Sequence, residues 1–335
     1  MSLNLTYSIY TMFREHNKLP QNQLFKKERE NWKFNAMILS VKSHLINLTK
    51  AIRYFRYLTG THYNKRFKVM RSSYLNPPVI YDGIKLPGFP PEQMQRDTTG
   101  HAGIYALREA FIFYKDCTDT FCELGSPLQA KHRLLDFGAG WGRITRFFLY
   151  ELPPENIYGI DVMEDYVEIC RKTFRSENFQ VTAPFPPTNF PNEKFDYIIG
   201  CSVFSHLSEE ACKRWMHEFH RLLAPAGIVA LTTRGRWFFD YCESLKRRNV
   251  SGYLDALSKM FDDFSDARAR YDRGEFVHSN REGVCGGGAM QPDFYGESFI
   301  PKKYAESAYE NLFYFRKFLS DSTRQAQPIM FFQKR

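Results

Sequence analysis

The chain has 335 residues, 43% of them hydrophobic and 25% charged, enough for one large core or two modest ones in a soluble globular protein. Its seven cysteines are odd in number and none forms a Cys-x-x-Cys pair, so neither a disulfide framework nor a zinc site is indicated, and a reducing, cytoplasmic compartment is expected. No apolar run approaches the ~20 residues of a membrane span, and the N-terminus has no signal-peptide pattern.

The net charge of +9 is unevenly spread. Residues 1–80 hold 14 Lys and Arg against 3 Asp and Glu, whereas the remainder holds 32 against 34. Within this basic quarter Phe34, Met37, Ile38, Val41, Leu45, Leu48, Ile52 and Phe55 recur at three- and four-residue steps, so they share one face of a helix. Lys33, Lys42, Lys50, Arg53 and Arg56 fall off that face. Packing on a neighbouring domain is the simpler reading. Contact of residues 33–58 with an anionic inner-membrane surface or a polyanionic substrate is the alternative, and a basic helix alone does not indicate nucleic acid.

The stretch NPPVIYDGIKLPGFPP is dense in Pro and Gly and reads as an extended linker, closing an N-terminal extension over 1–94. A helix is expected around Gly103 to Tyr114. From Arg133 onward strands and helices alternate: strand RLLDFG, helix ITRFFLYEL, strand IYGIDV, helix EDYVEICRKTF, strand FDYIIGCSVF, helix SEEACKRWMHEFHRLL and strand GIVALTT. Helices of this length between strands imply parallel βαβ units, hence an α/β fold with a sheet covered on both sides. Ser208 before Glu209 and Glu210 has the pattern of an N-cap, and Gly227 is expected to stop that helix. Residues 236–272 read as helical, and FYFRKFL with PIMFFQ as a closing pair of strands.

The stretch DFGAGWGR places Gly138, Gly140 and Gly142 at the end of the first of these strands, where ligands of such sheets bind. Asp161, nineteen residues after Gly142, ends the next strand and can accept both hydroxyl hydrogens of a ribose. Both features suit an adenosine-type ligand. The dinucleotide fingerprint spaces its glycines G-x-G-x-x-G to seat a pyrophosphate. Here the third glycine comes one residue early, and Asp136 would repel a pyrophosphate but welcome a sulfonium or an ammonium. S-adenosylmethionine is therefore favoured over NAD.

DFGAGWGR, YGIDV, FDYIIGCSVFSHLSEE and LLAPAGIVALTT, in this order over about 132–235, resemble the successive motifs of class I S-adenosylmethionine-dependent methyltransferases. PPEQMQRDTTGHAG and QPDFYGESFIPKKY are similar to flanks of a subgroup associated with glycan biosynthesis. The resemblance implies a Rossmann-like, seven-stranded, mostly parallel sheet whose last strand is antiparallel. It would form a catalytic domain over 95–335 with a substrate-side insertion at about 236–300. By position, Asp136, Gly138, Ala139, Gly140 and Gly142 would line the methionine part, Asp161 the ribose, Val162 and Met163 the adenine, and Cys201 and Ser202 the methyl group. TAPFPPTNFP, which stands where an acid or polar residue usually meets the adenine amine, contains no Asp.

Methyl transfer is an in-line displacement that needs an oriented nucleophile and, for a hydroxyl or amine, a proton acceptor. His206, which follows the third parallel strand in SVFSHLSEE, is a candidate base or a structural histidine. His101 and His278 are rivals from the flanks. Arg234 and Arg236 either clamp a phosphate or carboxylate of the acceptor or are ion-paired. Tyr295 and Tyr304 either wall the site or simply pack. No metal is expected. The resulting expectation is O-methylation of a small or lipid-linked acceptor such as a sugar or sugar phosphate. A protein or nucleic-acid methyltransferase is one alternative, although CSVF stands where an amino-methyltransferase would carry an NPPY-like motif. A non-catalytic scaffold of the same fold is another.

Overall fold

The computed structural model describes residues 61–75, 79–81, 83–286 and 290–335; the basic helix expected over 33–58 lies outside them. Helix α1 (Thr61–Leu75) leads to a short hairpin, β1 (Ile80–Tyr81) and β2 (Ile84–Lys85), inside the expected linker. Helices α2 (Glu92–Thr99) and α3 (Ile104–Glu123) follow. Phe67, Met70 and Leu86, all before the expected boundary at 94, are buried in one cluster with Leu107, Phe111 and Phe147.

The alternating region builds the central sheet from β3 (Leu134–Phe137), β4 (Ile157–Asp161), β5 (Phe179–Val181), β6 (Phe195–Gly200) and β7 (Leu223–Thr232). Between these strands lie α4 (Thr145–Phe148), α5 (Glu164–Phe174) and α6 (Glu209–Leu222). The insertion contributes α7 (Trp237–Leu245), α8 (Tyr253–Lys259), α9 (Phe264–Arg273) and a two-stranded sheet of β8 (Val277–Ser279) and β9 (Glu297–Phe299). Helix α10 (Lys302–Ala308) precedes the closing hairpin β10 (Phe313–Leu319) and β11 (Ile329–Lys334). The strand order is β10-β11-β7-β6-β3-β4-β5, and β11 alone runs against the other strands, pairing antiparallel with both neighbours. This is the seven-stranded, mostly parallel Rossmann-like sheet expected.

Alternation along each strand decides which side chain faces which layer. Leu135, Phe137, Ile198, Val229 and Leu231 join the inner face of α6 on one side. Leu134, Tyr197, Ile199, Ile228 and Ala230 join α3 and α4 on the other. Both faces are covered, as a parallel sheet requires. Helix α6 shows how local sequence and packing agree. The Ser208 hydroxyl accepts from the Ala211 amide at 3.3 Å. Glu209 and Glu210 complement the N-terminal dipole, and Ala211, Cys212, Trp215, Met216, Phe219 and Leu222 form the buried stripe.

Three local expectations are corrected. The helix expected over ITRFFLYEL is regular only at Thr145–Phe148. Gly227 does not stop α6, which ends at Leu222; it lies within β7, inside a register shift in the pairing with β6, where Ala226 takes φ of 60°. Finally, the sheet gains β5, three residues after Asn178 that carry too little pattern to read as a strand. Among the described residues no helix is long and apolar enough to cross a membrane.

Candidate active site

A cleft of about 240 Å3 opens beyond the carboxyl ends of β3, β4 and β6. Its floor is the glycine turn between β3 and α4. The amides of Gly138 and Ala139 donate to the Ile160 carbonyl at 2.8 and 3.1 Å, which ties the turn to β4. Asp161 ends β4 and completes the connection. Its Oδ2 accepts from the Gly140 amide at 2.8 Å and its Oδ1 from the Met163 amide at 2.9 Å. Only 8% exposed, the carboxylate is fixed in direction yet still borders the cleft, and each oxygen keeps lone-pair capacity for an incoming hydroxyl. Burial raises its pKa against the pull of these amides.

Gly138, Ala139, Gly140, Val162, Met163, Cys201 and Ser202 all line the cleft. Thr182 and Pro184 line it from the segment that lacks an acid, and Trp215 Nε1 donates to the Pro184 carbonyl at 2.9 Å. Asp136 and Gly142 are not among the lining residues. Asp136 lies beneath the turn, where the Thr145 hydroxyl donates to it at 2.5 Å, and burial pushes its carboxyl up to about 7. The expected carboxylate beside the sulfonium is therefore a buried prop of the turn.

Residues not singled out in the sequence complete the walls. Asp97, Thr98 and Thr99 of α2 face the cleft, and Thr98 accepts from Trp141 Nε1 at 3.0 Å. Arg143 lines it while donating to the Ala106 carbonyl and pairing with Glu109, both at 3.2 Å. From the insertion come Met290, Phe294 and Tyr295. The flank motif around Asp97 was the available signal for α2; nothing local marks Met290.

The three histidines separate clearly. His101 is exposed after α2, away from the lining. His278 on β8 is also outside it, with Nδ1 2.7 Å from Ser298 Oγ, and burial draws its pKa down to about 4. His206 stands behind the cleft wall, its ring stacked on Tyr295 with centroids 5.0 Å apart and planes parallel. His206 Nδ1 lies 2.9 Å from the Gly296 carbonyl and 3.1 Å from Glu297 Oε1. A carbonyl only accepts, so Nδ1 carries a hydrogen, while Nε2 faces Arg234 Nη2 at 3.5 Å.

Glu297 is fully buried and gathers three donors: Arg234 in two contacts of 2.5 and 3.1 Å, His206, and the Tyr253 hydroxyl. Burial would raise its pKa, but Arg234 and His206 hold it far below the carboxylate range. Arg234 is thus spent on an internal carboxylate, on His206 Nε2 at 3.5 Å and on the Phe238 ring face, 4.4 Å away. Arg236 sits on the exterior and pairs with Asp272 at 2.8 and 2.9 Å. Neither is the expected clamp for an acceptor anion. Tyr304 donates to Glu209 and packs, whereas Tyr295 walls the cleft.

A family model described as a methyltransferase domain matches residues 134–227. The chain is 26% identical over 105 residues to cyclopropane-fatty-acyl-phospholipid synthase of Escherichia coli (strain K12), covering 31% of this chain and 26% of that protein. It thus spans about a quarter of the synthase. An uncharacterized methyltransferase of Anoxybacillus flavithermus is 22% identical over 178 residues, 48% of this chain and 79% of that one. Among solved structures, a SAM-dependent methyltransferase from Aquifex aeolicus aligns over 74% of this chain and all of its own, with 13% identity and a TM-score of 0.42. Over residues 134–227 the chain thus resembles a methyltransferase domain, and S-adenosylmethionine is the cofactor that this resemblance implies.

Proposed function

We propose that the protein methylates an oxygen of a small or lipid-linked acceptor, with a sugar hydroxyl as the acceptor class. The observation that carries this reading is His206, its Nδ1–H held by Gly296 and Glu297 and its ring stacked on a cleft-wall tyrosine. The glycan-associated flanks support the carbohydrate part of it. The lipid-linked part draws on the similarity to the E. coli synthase, whose name specifies a phospholipid.

The residues present fit the cofactor. Asp161 offers both oxygens to the ribose, Val162, Met163 and Thr182 border the adenine, and the side-chain-free backbone at Gly138 and Gly140 admits the methionine part. S-adenosylmethionine supplies a methyl group already activated by a sulfonium, so orientation accounts for most of the rate the protein must provide. Ser202, with φ of 61°, is held at the end of β6 by its amide donating to Thr232 Oγ1 at 2.7 Å, and Gln327 donates to its hydroxyl at 2.9 Å. In this reading His206 Nε2, 3.5 Å from Arg234 Nη2, takes the acceptor proton, and buried Glu297 holds the imidazolium that results. General-base assistance of this kind contributes about 10²–10⁴-fold.

The test has two stages. Calorimetric titration of the full chain with S-adenosylmethionine is expected to show one site, lost in Asp161→Ala. Methyl-labelled donor is then offered with panels of sugars, sugar phosphates, lipid-linked sugars, phospholipids, peptides and nucleic acids. Label on a carbohydrate oxygen, reduced at least a hundredfold in His206→Gln, is the expected result. Binding without transfer to any hydroxyl acceptor, or label only on peptide or nucleic acid, overturns the reading.

A further inference from the structure

Arg146 on α4 is a guanidinium with no exposure and no carboxylate in contact among the described residues. Its Nε donates to the Gly142 carbonyl at 3.2 Å and its Nη2 to the Gly88 carbonyl at 3.1 Å, with the Pro87 carbonyl 3.5 Å from Nη1. Its flat faces meet aromatic rings, Phe89 at 4.0 Å and Trp141 at 4.8 Å. Phe89 and Trp141 themselves lie 6.0 Å apart.

A buried cation without a counter-ion is expensive, and an apolar side chain of similar length would fill the same volume without that desolvation cost. What the guanidinium does that a Met cannot is to hold two separate pieces of chain in one arrangement. These are the linker at 87–89 and the glycine turn, the latter through both the Gly142 carbonyl and the Trp141 indole. Trp141, itself 1% exposed, lines the cleft and donates to Thr98 of α2, another cleft wall. Arg146 therefore sits where linker, α2 and glycine turn meet, one layer behind the ligand.

We propose that Arg146 is a positioning residue for cofactor binding: through Trp141 and the 87–89 segment it keeps the α2 wall of the cleft preformed. Without it, S-adenosylmethionine must order that wall as it binds and loses affinity. This rests on the reading of the cleft as the cofactor site.

The test uses the full chain and three variants, Arg146→Met, Arg146→Lys and Phe89→Leu, each measured by thermal unfolding and by calorimetric titration with S-adenosylmethionine well below its melting temperature. Arg146→Met is expected to melt within a few degrees of wild type, since it sheds a desolvated charge, yet to bind at least tenfold more weakly. Arg146→Lys should recover part of the affinity through its charge, and Phe89→Leu should weaken binding in the same direction. Wild-type affinity in Arg146→Met overturns the proposal, as does loss of affinity only in proportion to loss of stability across the set. If Arg146→Met fails to fold, wild-type affinity in Phe89→Leu overturns it. Absence of binding by the wild-type chain instead refutes the reading of the cleft, which keeps the two failures apart.

Discussion

Replacing Gly140 by Ala tests whether the space above the glycine turn belongs to a ligand or to the fold. Gly138, Gly140 and Gly142 all have positive φ, at 72°, 52° and 78°. An L-residue in the left-handed region costs about 1–2 kcal/mol, so each substitution carries that strain. The surroundings then divide them. A Cβ at Gly138 would stand 2.3 Å from Val203 Cγ2, and one at Gly142 would stand 2.3 Å from Phe174 Cε2, inside packed side chains. Overpacking adds about 1–3 kcal/mol at those sites. At Gly140 a Cβ meets no protein atom within 4 Å, and the residue lines the cleft. Gly140→Ala should therefore lower the melting temperature by only about 1–3 °C, from the strain alone. Gly142→Ala should cost roughly twice as much, because Phe174 must also move. In calorimetric titration the order reverses in kind: Gly140→Ala stays folded and loses S-adenosylmethionine affinity by at least tenfold, since the new methyl occupies ligand space. Wild-type affinity in a folded Gly140→Ala protein would refute the reasoning, because the open side of the turn would then face no ligand.

The buried pair of Arg234 and Glu297 invites a stability test. Arg234→Met leaves a fully buried carboxylate facing only His206 and Tyr253, and is expected to cost about 3–5 kcal/mol in urea unfolding. Adding Glu297→Gln should restore most of it; a single-variant loss below about 1 kcal/mol would show the pair to be solvated. Asp136 makes a prediction in pH. Its folded pKa of about 7 lies above the unfolded value of about 3.9, so the folded chain retains a proton that the unfolded chain releases. Wild-type stability at this site therefore falls as pH rises from about 4 to about 7, and Asp136→Asn lacks that decline. The stability of Asp136→Asn relative to wild type should rise through this window by on the order of a few kcal/mol and level off above it. A constant difference in denaturant midpoints at pH 5, 6 and 7.5 would sink the assignment.

What could be read from the sequence follows the range of the forces involved. Helix α5 and the strands β4 and β6 are written in local periodicity, and α6 adds a cap and charged first turn, so each was legible in place. Asp161 was legible because it ends the strand that follows the glycine turn; of its two amide partners only Met163 is a near neighbour, the other being Gly140, 21 residues back. Glu297 was not, because no neighbour in sequence explains it. Its partner Arg234 is 63 residues away, and a single acid between Gly296 and Ser298 looks like any surface acid. Arg146 was missed for the opposite reason. In ITRFF it reads as the polar face of an amphipathic helix, and only the return of the linker over α4 turns that face inward. Asp136 was legible as an acid but not in direction, since the Thr145 hydroxyl that caps it lies nine residues on, across the glycine turn in the next helix.

The charge balance of the cleft bears on which adenosine ligand it takes. Its ionisable walls are the carboxylates of Asp97 and Asp161 against the guanidinium of Arg143, and Arg143 is itself answered by Glu109 from outside. Arg234 and Arg236 would have added two cations had they faced the ligand, but both are bound to carboxylates elsewhere. A pyrophosphate-bearing dinucleotide would enter a site of net negative charge with no uncommitted cation among its lining residues, which Coulomb repulsion at low dielectric opposes. S-adenosylmethionine carries a sulfonium and an ammonium against one carboxylate, a net charge of the opposite sign to the cleft. The same balance constrains the acceptor. A phosphate on it would gain nothing from these walls, so in a sugar phosphate or a lipid-linked sugar the anionic group belongs outside the cleft. Under the proposed O-methylation, the acceptor hydroxyl would approach along Tyr295, behind which His206 stacks.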